Sequence, residues 1–194
     1  SFAVFGPGMC LLIFSHRTDP RYPLVLAANR DEFHARPTAA SAFWPEHPDL
    51  LAGRDLAQGG TWMGLTRQGR LAAITNYRDP ARTAPAPRSR GELPLDYLTG
   101  NQDAESFLLE LLPRAHEYAG FNLLLGDSRE LWHLNQQQGI PRQLREGLYG
   151  LSNADLDSPW PKLQRAKAAL ASCLQQPNTP ALLDLLQDAK TADD

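Results

Sequence analysis

Met9-Cys10-Leu11-Leu12-Ile13-Phe14 is the stretch on which the reading of this chain turns. Four apolar residues in a row after a cysteine read as a short buried strand. The pair before them sets the chemistry. If Met9 is the initiating residue, its removal leaves Cys10 with a free α-amine. A terminal Cys then carries its own base, because the amine can take the thiol proton. Residues 1–8 (SFAVFGPG) fit nothing that follows, so what they are decides whether that amine exists.

The bulk properties bound the rest. The chain has 194 residues, 42% hydrophobic and 21% charged, with net charge -3. That is enough chain for one globular domain with a sizeable core, here expected over residues 9–194. No Lys/Arg cluster with interleaved aromatics occurs, which argues against a nucleic-acid partner. No apolar run approaches membrane-spanning length. Residues 1–8 lack a basic segment and are too short for a signal peptide, so they read as a tag or, alternatively, a propeptide. Cys10 and Cys173 lie far apart in sequence; a disulfide framework is not expected, and the default compartment is a reducing cytoplasm.

Working outward from Cys10, residues 11–15 and 24–28 read as two buried strands of a hairpin joined by residues 16–21. Residues 37–60, rich in Pro, Gly and Ala, read as a long loop. Residues 61–66 and 71–76 flank Arg67-Gln68-Gly69-Arg70 as a second hairpin. Residues 79–90, with Pro80, Pro85 and Pro87, read as a surface loop. Helices are expected over 91–98 and 104–117, the second strained by Pro113. A third hairpin spans 121–125 and 130–135, and 148–152 is a strand. Two helices follow over 160–174 and 180–189, the latter with Pro180 in its first turn. Hairpins interrupted by helical blocks predict an α+β fold of antiparallel sheets covered by helices.

Three strand ends carry the polar residues of interest. Asn29-Arg30-Asp31-Glu32 directly follows the second strand. As plain structure it is a solvated turn. A hairpin, however, brings the second strand's end beside the first strand's start, where an Arg lowers a thiol pKa and a carboxylate can hold an ammonium. Thr75-Asn76-Tyr77 ends another strand, either as a simple Asn turn or with a backbone N–H and an amide aimed at an oxyanion. Ser152-Asn153 repeats the pattern, with a cap or turn Asn as the plain alternative. Gly59-Gly60 reads as a turn. The five histidines show no metal-like spacing, and His34 alone lies near the polar run. Trp44 and Trp62 read as core or pocket walls.

Together, Met9-Cys10, Leu26-Ala27-Ala28-Asn29-Arg30-Asp31-Glu32, Gly59-Gly60-Thr61-Trp62-Met63-Gly64, Thr75-Asn76-Tyr77, Arg90-Gly91-Glu92-Leu93, Gly120-Phe121-Asn122-Leu123 and Tyr149-Gly150-Leu151-Ser152-Asn153 resemble, in this order, the NRDE family, that of transport and Golgi organisation protein 2. The resemblance implies the N-terminal-nucleophile hydrolase fold, a four-layer αββα sandwich of antiparallel sheets. By analogy with the choloylglycine hydrolase and penicillin V acylase group, it implies Cys10 as nucleophile with Arg30 and Asp31 as supports. Asn76, the Tyr77 N–H and the Asn153 amide would lie at the oxyanion. Asn29, Glu32, Trp44 and Trp62 would line the substrate. The same resemblance implies a final strand pair and a late Arg without counterpart here, so the domain is expected to be incomplete at its C-terminus. The expected activity is hydrolysis of an amide or thioester bond in a small acyl substrate, with no cofactor. The alternatives are a haem-binding or haem-trafficking chaperone, with haem as ligand, and a non-catalytic binding module using residues 37–60. Oligomeric state is left open.

Overall fold

A computed structural model describes residues 10–29, 36–77, 85–159 and 161–175, together with 180, 181 and 184. In chain order its elements are β1 (Leu11–Asp19), β2 (Tyr22–Asn29), β3 (Thr38–Trp44), β4 (His47–Asp55), β5 (Met63–Thr66) and β6 (Leu71–Asn76). There follow α1 (Glu92–Thr99), α2 (Ala104–Leu111), a 3-10 turn (Leu112–Glu117), β7 (Phe121–Gly126), β8 (Leu131–Asn135), β9 (Arg142–Leu144), β10 (Gly147–Leu151) and α3 (Pro161–Cys173). The chain divides into two compact units, Ser1–Phe33 with Arg145–Asp194, and His34–Leu144.

The first unit holds a three-stranded antiparallel sheet ordered β10-β1-β2, with β1 in the middle. Leu11 and Ile13 pack on Leu163, Ala166, Leu170 and Leu174, whose spacing forms the apolar stripe of α3. The alternate residues Leu12 and Phe14 are equally buried, and Phe14 stacks on Tyr149 at 5.3 Å. Burial on both faces explains why β1 reads as an unbroken apolar run rather than an alternating one. The hairpin is longer than expected. The connector predicted over residues 16–21 is mostly strand, with a register irregularity between His16 and Asp19 and a left-handed Arg17 at φ 52°. The turn itself is Pro20-Arg21. The Asp19 carboxylate accepts from the Arg21 N–H at 2.9 Å and from its guanidinium at 3.0 and 2.7 Å.

The second unit is a seven-stranded antiparallel sheet in sequential order from β3 to β9. The α1 and α2 helices cover one face. Leu93, Tyr97, Leu108 and Leu111 pack there with Leu123 and Leu125 of β7. Residues 37–60 are not the long loop expected but the hairpin β3–β4. Its Ala- and Ser-rich β3 has weak strand propensity and is the exposed sheet edge, while β4 is held on both sides, pairing with β3 and β5. The helix expected over 104–117 stops at Leu111 and continues as the 3-10 turn. Pro113 has no N–H to donate one turn back, so the α pattern cannot pass it. The three-residue β9 is too short to show a period. Residues 79–84, and most of the helix predicted over 180–189, lie outside the described residues.

Both sheets are antiparallel and backed by helix, so the α+β class expected from the sequence holds. Among the described residues no helix is long and apolar enough to cross a membrane.

Candidate active site at the strand ends

Cys10 is half-buried and immediately precedes the central strand β1. Leu11 pairs with Asn29 on one side, and Leu12 pairs with Leu151 on the other. The end of β2 and the end of β10 therefore flank the head of β1. Asn29 Oδ1 accepts the Leu11 N–H at 2.8 Å, so this side chain clips the first residue of β1 to its neighbour. The β1–β10 pairing ends at Leu12 with Leu151; Cys10 stands two residues before Leu12 and Asn153 two residues after Leu151. Within β1, Leu12 and Phe14 alternate with Leu11 and Ile13, the pair that packs on α3. Arg30, Asp31, Glu32 and His34 lie outside the described residues.

Asn153 is half-buried, and its buried Oδ1 has no hydrogen-bond partner among the described residues. Such a group costs about 1–3 kcal/mol unless something meets it. Turning the amide by 180° exchanges Oδ1 for Nδ2, so the same position offers either an acceptor or a donor. Around it, Ser152 is buried and its Oγ accepts the Ala154 N–H at 3.3 Å.

Asn76 and Tyr77 belong to the second unit. Asn76 is the exposed last residue of β6 and pairs with Phe121. The Tyr77 N–H, expected to face an oxyanion, donates instead to the Gly120 carbonyl at 2.9 Å, extending the β6–β7 ladder. The Tyr77 hydroxyl donates to Gln137. Arg90 Nη1 donates to the same Gly120 oxygen at 2.7 Å, and the Thr61 N–H donates to the Gly91 oxygen at 2.9 Å. The motifs at 59–64, 75–77, 90–93 and 120–123, far apart in sequence, thus form one hydrogen-bonded assembly. Trp44 is a core residue whose indole N–H donates to Ala52 O at 3.1 Å, with Arg54 stacked on its ring. Trp62 lies against Gly53, leaving no room there for a Cβ.

A second polar group escaped sequence reasoning. Asn122 Oδ1 contacts His133 Nε2 at 3.1 Å and accepts Asn135 Nδ2 at 3.0 Å; all three side chains are buried. The available signal was a polar residue inside each of two otherwise apolar strands, FNLLLG and LWHLN. Among the described residues no cluster of three or more His, Cys, Asp or Glu could hold a metal, and neither Cys10 nor Cys173 is joined in a disulfide.

A family model described as Transport and Golgi organisation 2 matches residues 9–194. The chain belongs to that family. It is 38% identical over 183 residues to the Transport and Golgi organization 2 homolog of Mus musculus, covering 87% of this chain and 65% of that protein. The Bos taurus homolog is 42% identical over 170 residues, covering 80% and 60%. The chain therefore spans about 60–65% of the length of these relatives. Among solved structures it is similar to the Caenorhabditis elegans ortholog of N-acylethanolamine-hydrolyzing acid amidase, with TM-score 0.51 and 8% identity, over 95% of this chain and 88% of that one. The likeness is one of fold.

Proposed function

We propose that the chain, once Cys10 is its first residue, is a cysteine N-terminal-nucleophile hydrolase of an amide or thioester bond in a small acyl substrate. The observation that carries this reading is the head of β1. Cys10 precedes the central strand of its sheet, the ends of β2 and β10 flank the head of that strand, and two residues past β10 stands Asn153, whose buried amide oxygen meets no hydrogen-bond partner among the described residues. The fold supports it, because it is one in which such nucleophiles work, and the acid amidase that shares it is named for hydrolysis of an acyl amide.

The steps follow from the chemistry of a terminal Cys. The free α-amine takes the thiol proton, and the thiolate attacks the acyl carbonyl carbon. The resulting oxyanion accepts from the Asn153 amide. Collapse breaks the bond to the leaving amine or thiol, which receives the proton from the ammonium. Water then adds to the thioester, the amine takes its proton, and the C–S bond breaks to release the acid and restore the thiol. Arg30 would lower the thiol pKa and Asp31 would hold the ammonium; both directly follow Asn29 in the chain. This route needs no cofactor.

The test is protein initiated at Met9, with Met removal checked by intact mass, treated with an acyl-amide or acyl-ester activity probe. The expected result is one acyl adduct on Cys10, lost in Cys10→Ala and slowed ~10²–10³-fold in Asn153→Ala. A chain still carrying residues 1–9 has an amide where the mechanism needs an amine and should not turn over. Absence of a Cys10 adduct, or turnover by the uncleaved chain, overturns the reading.

A further inference from the structure

The segment that carries Asn153 is closed on itself. Asp157 N–H donates to Gly150 O at 2.8 Å, and Gly150 N–H donates back to Asp157 Oδ1 at 2.8 Å. Residues 152–156 are therefore a loop tied at its neck by one residue's backbone and side chain. The same Oδ1 accepts Lys167 Nζ of α3 at 2.9 Å, which fastens the neck to the helix. Asp157 holds a left-handed backbone, φ 53°, that few side chains tolerate; Asp and Asn are among them. Within the loop Ser158 Oγ donates to Asp155 O at 2.6 Å. None of these bonds uses the Asn153 amide, whose buried Oδ1 meets no hydrogen-bond partner among the described residues.

We infer that Asp157 is a positioning residue for Asn153: by closing the loop onto Gly150 and onto Lys167 it sets where the Asn153 amide stands relative to the head of β1. The inference rests on the hydrolase reading above and adds to it a residue that does not touch substrate. Its consequence is specific. Loosening the neck misplaces an oxyanion donor, which matters for attack on a carbonyl, and leaves the thiol itself as it was.

Two reactions of Cys10 separate these effects in protein with Cys10 at its terminus. Acylation by the activity probe passes through an oxyanion. Alkylation by iodoacetamide needs only the thiolate, and peptide mass distinguishes Cys10 from Cys173. Asp157→Gly keeps the backbone conformation and removes the carboxylate. Asp157→Glu keeps the charge and moves it by one methylene. Both should acylate at least tenfold more slowly while alkylating within about twofold of the parent. Asp157→Asn keeps an acceptor at the Oδ1 position and tolerates the same backbone, so it should acylate within about threefold of the parent. Parent-like acylation in Asp157→Gly and Asp157→Glu overturns the inference. So does an equal fall of both reactions, which would place the effect on the thiol or the fold. A parent protein that alkylates at Cys10 but never acylates marks failure of the hydrolase reading, and the inference falls with it.

Discussion

Gly60 and Gly91 meet backbone to backbone. A Cβ on Gly60 would stand 2.4 Å from the Gly91 carbonyl carbon and 2.5 Å from its oxygen. The two glycines come from separate motifs, one entering β5 and one opening α1, and the Thr61 N–H bond to Gly91 locks them.

Gly60→Ala therefore cannot be absorbed by a side-chain rotation, since the obstacle is main chain. Overpacking of this kind costs about 1–3 kcal/mol. Gly91 is the asymmetric partner. Its Cβ would meet Thr61 O at 3.3 Å, and its φ of -64° suits any residue. Urea unfolding should show Gly60→Ala clearly destabilised and Gly91→Ala much less so. Equal midpoints for the two would contradict the close contact.

The Asn122 group predicts a larger loss from a smaller change. Asn122→Leu fills similar space but removes the oxygen that meets His133 and Asn135 in a buried site. Removing one partner leaves the desolvation penalty of the others, about 1–3 kcal/mol for each buried group left unmet. Chemical denaturation of Asn122→Leu should show a loss at or above that range. A variant as stable as the parent would mean that the cluster contributes nothing to the sheet.

How much of this was legible beforehand follows from what each residue advertises. β1, β7 and β8 announced themselves because burial on both faces gives each a largely apolar run. The β3–β4 hairpin did not, because Thr38–Trp44 is an exposed edge built of small residues whose pairing, not its composition, makes it a strand. The polar strand ends were visible as motifs. Their division was not: Asn29 and the Tyr77 N–H are consumed by backbone bonds, whereas the Asn153 oxygen meets no partner among the described residues. That distinction depends on hydrogen bonds between residues distant in sequence. Asp157 was equally hidden, since its neck closure appears only once Gly150 and α3 are placed.

Asp55 gives the acid limb of stability. Burial by itself would raise its pKa. The Arg36 guanidinium and the N–H groups of Ala57 and Gln58 outweigh that and hold it below the usual carboxylate range. A depressed folded pKa contributes stability that is present above the unfolded value of about 3.9. It is lost as pH falls through the folded value. Because Arg36 is partly exposed, the pair is worth about 1 kcal/mol rather than a buried-pair figure. Asp55→Asn should thus be less stable than the parent at pH 7, and the gap should close on acidification below pH 4. A gap independent of pH would remove the charge from the explanation.

Tyr118 gives the alkaline limb. Its ring is fully buried, and its hydroxyl accepts from Arg114 Nη1 at 2.8 Å, a bond that closes the end of the 3-10 turn. Burial first, and then the hydrogen bond to the Glu92 carboxylate, push its pKa up to about 12. The folded chain therefore holds this phenolic proton more tightly than the unfolded chain, whose tyrosines titrate near about 10. Stability from that proton is fully present below about pH 10 and declines as pH rises toward 12. Two measurements check it. Absorbance near 295 nm should show a late-titrating phenol in the parent that Tyr118→Phe lacks. Between about pH 10 and 12, the stability advantage of the parent over Tyr118→Phe should shrink steadily. If the advantage stays constant, the hydroxyl acts through its Arg114 contact alone and the Glu92 bond contributes nothing.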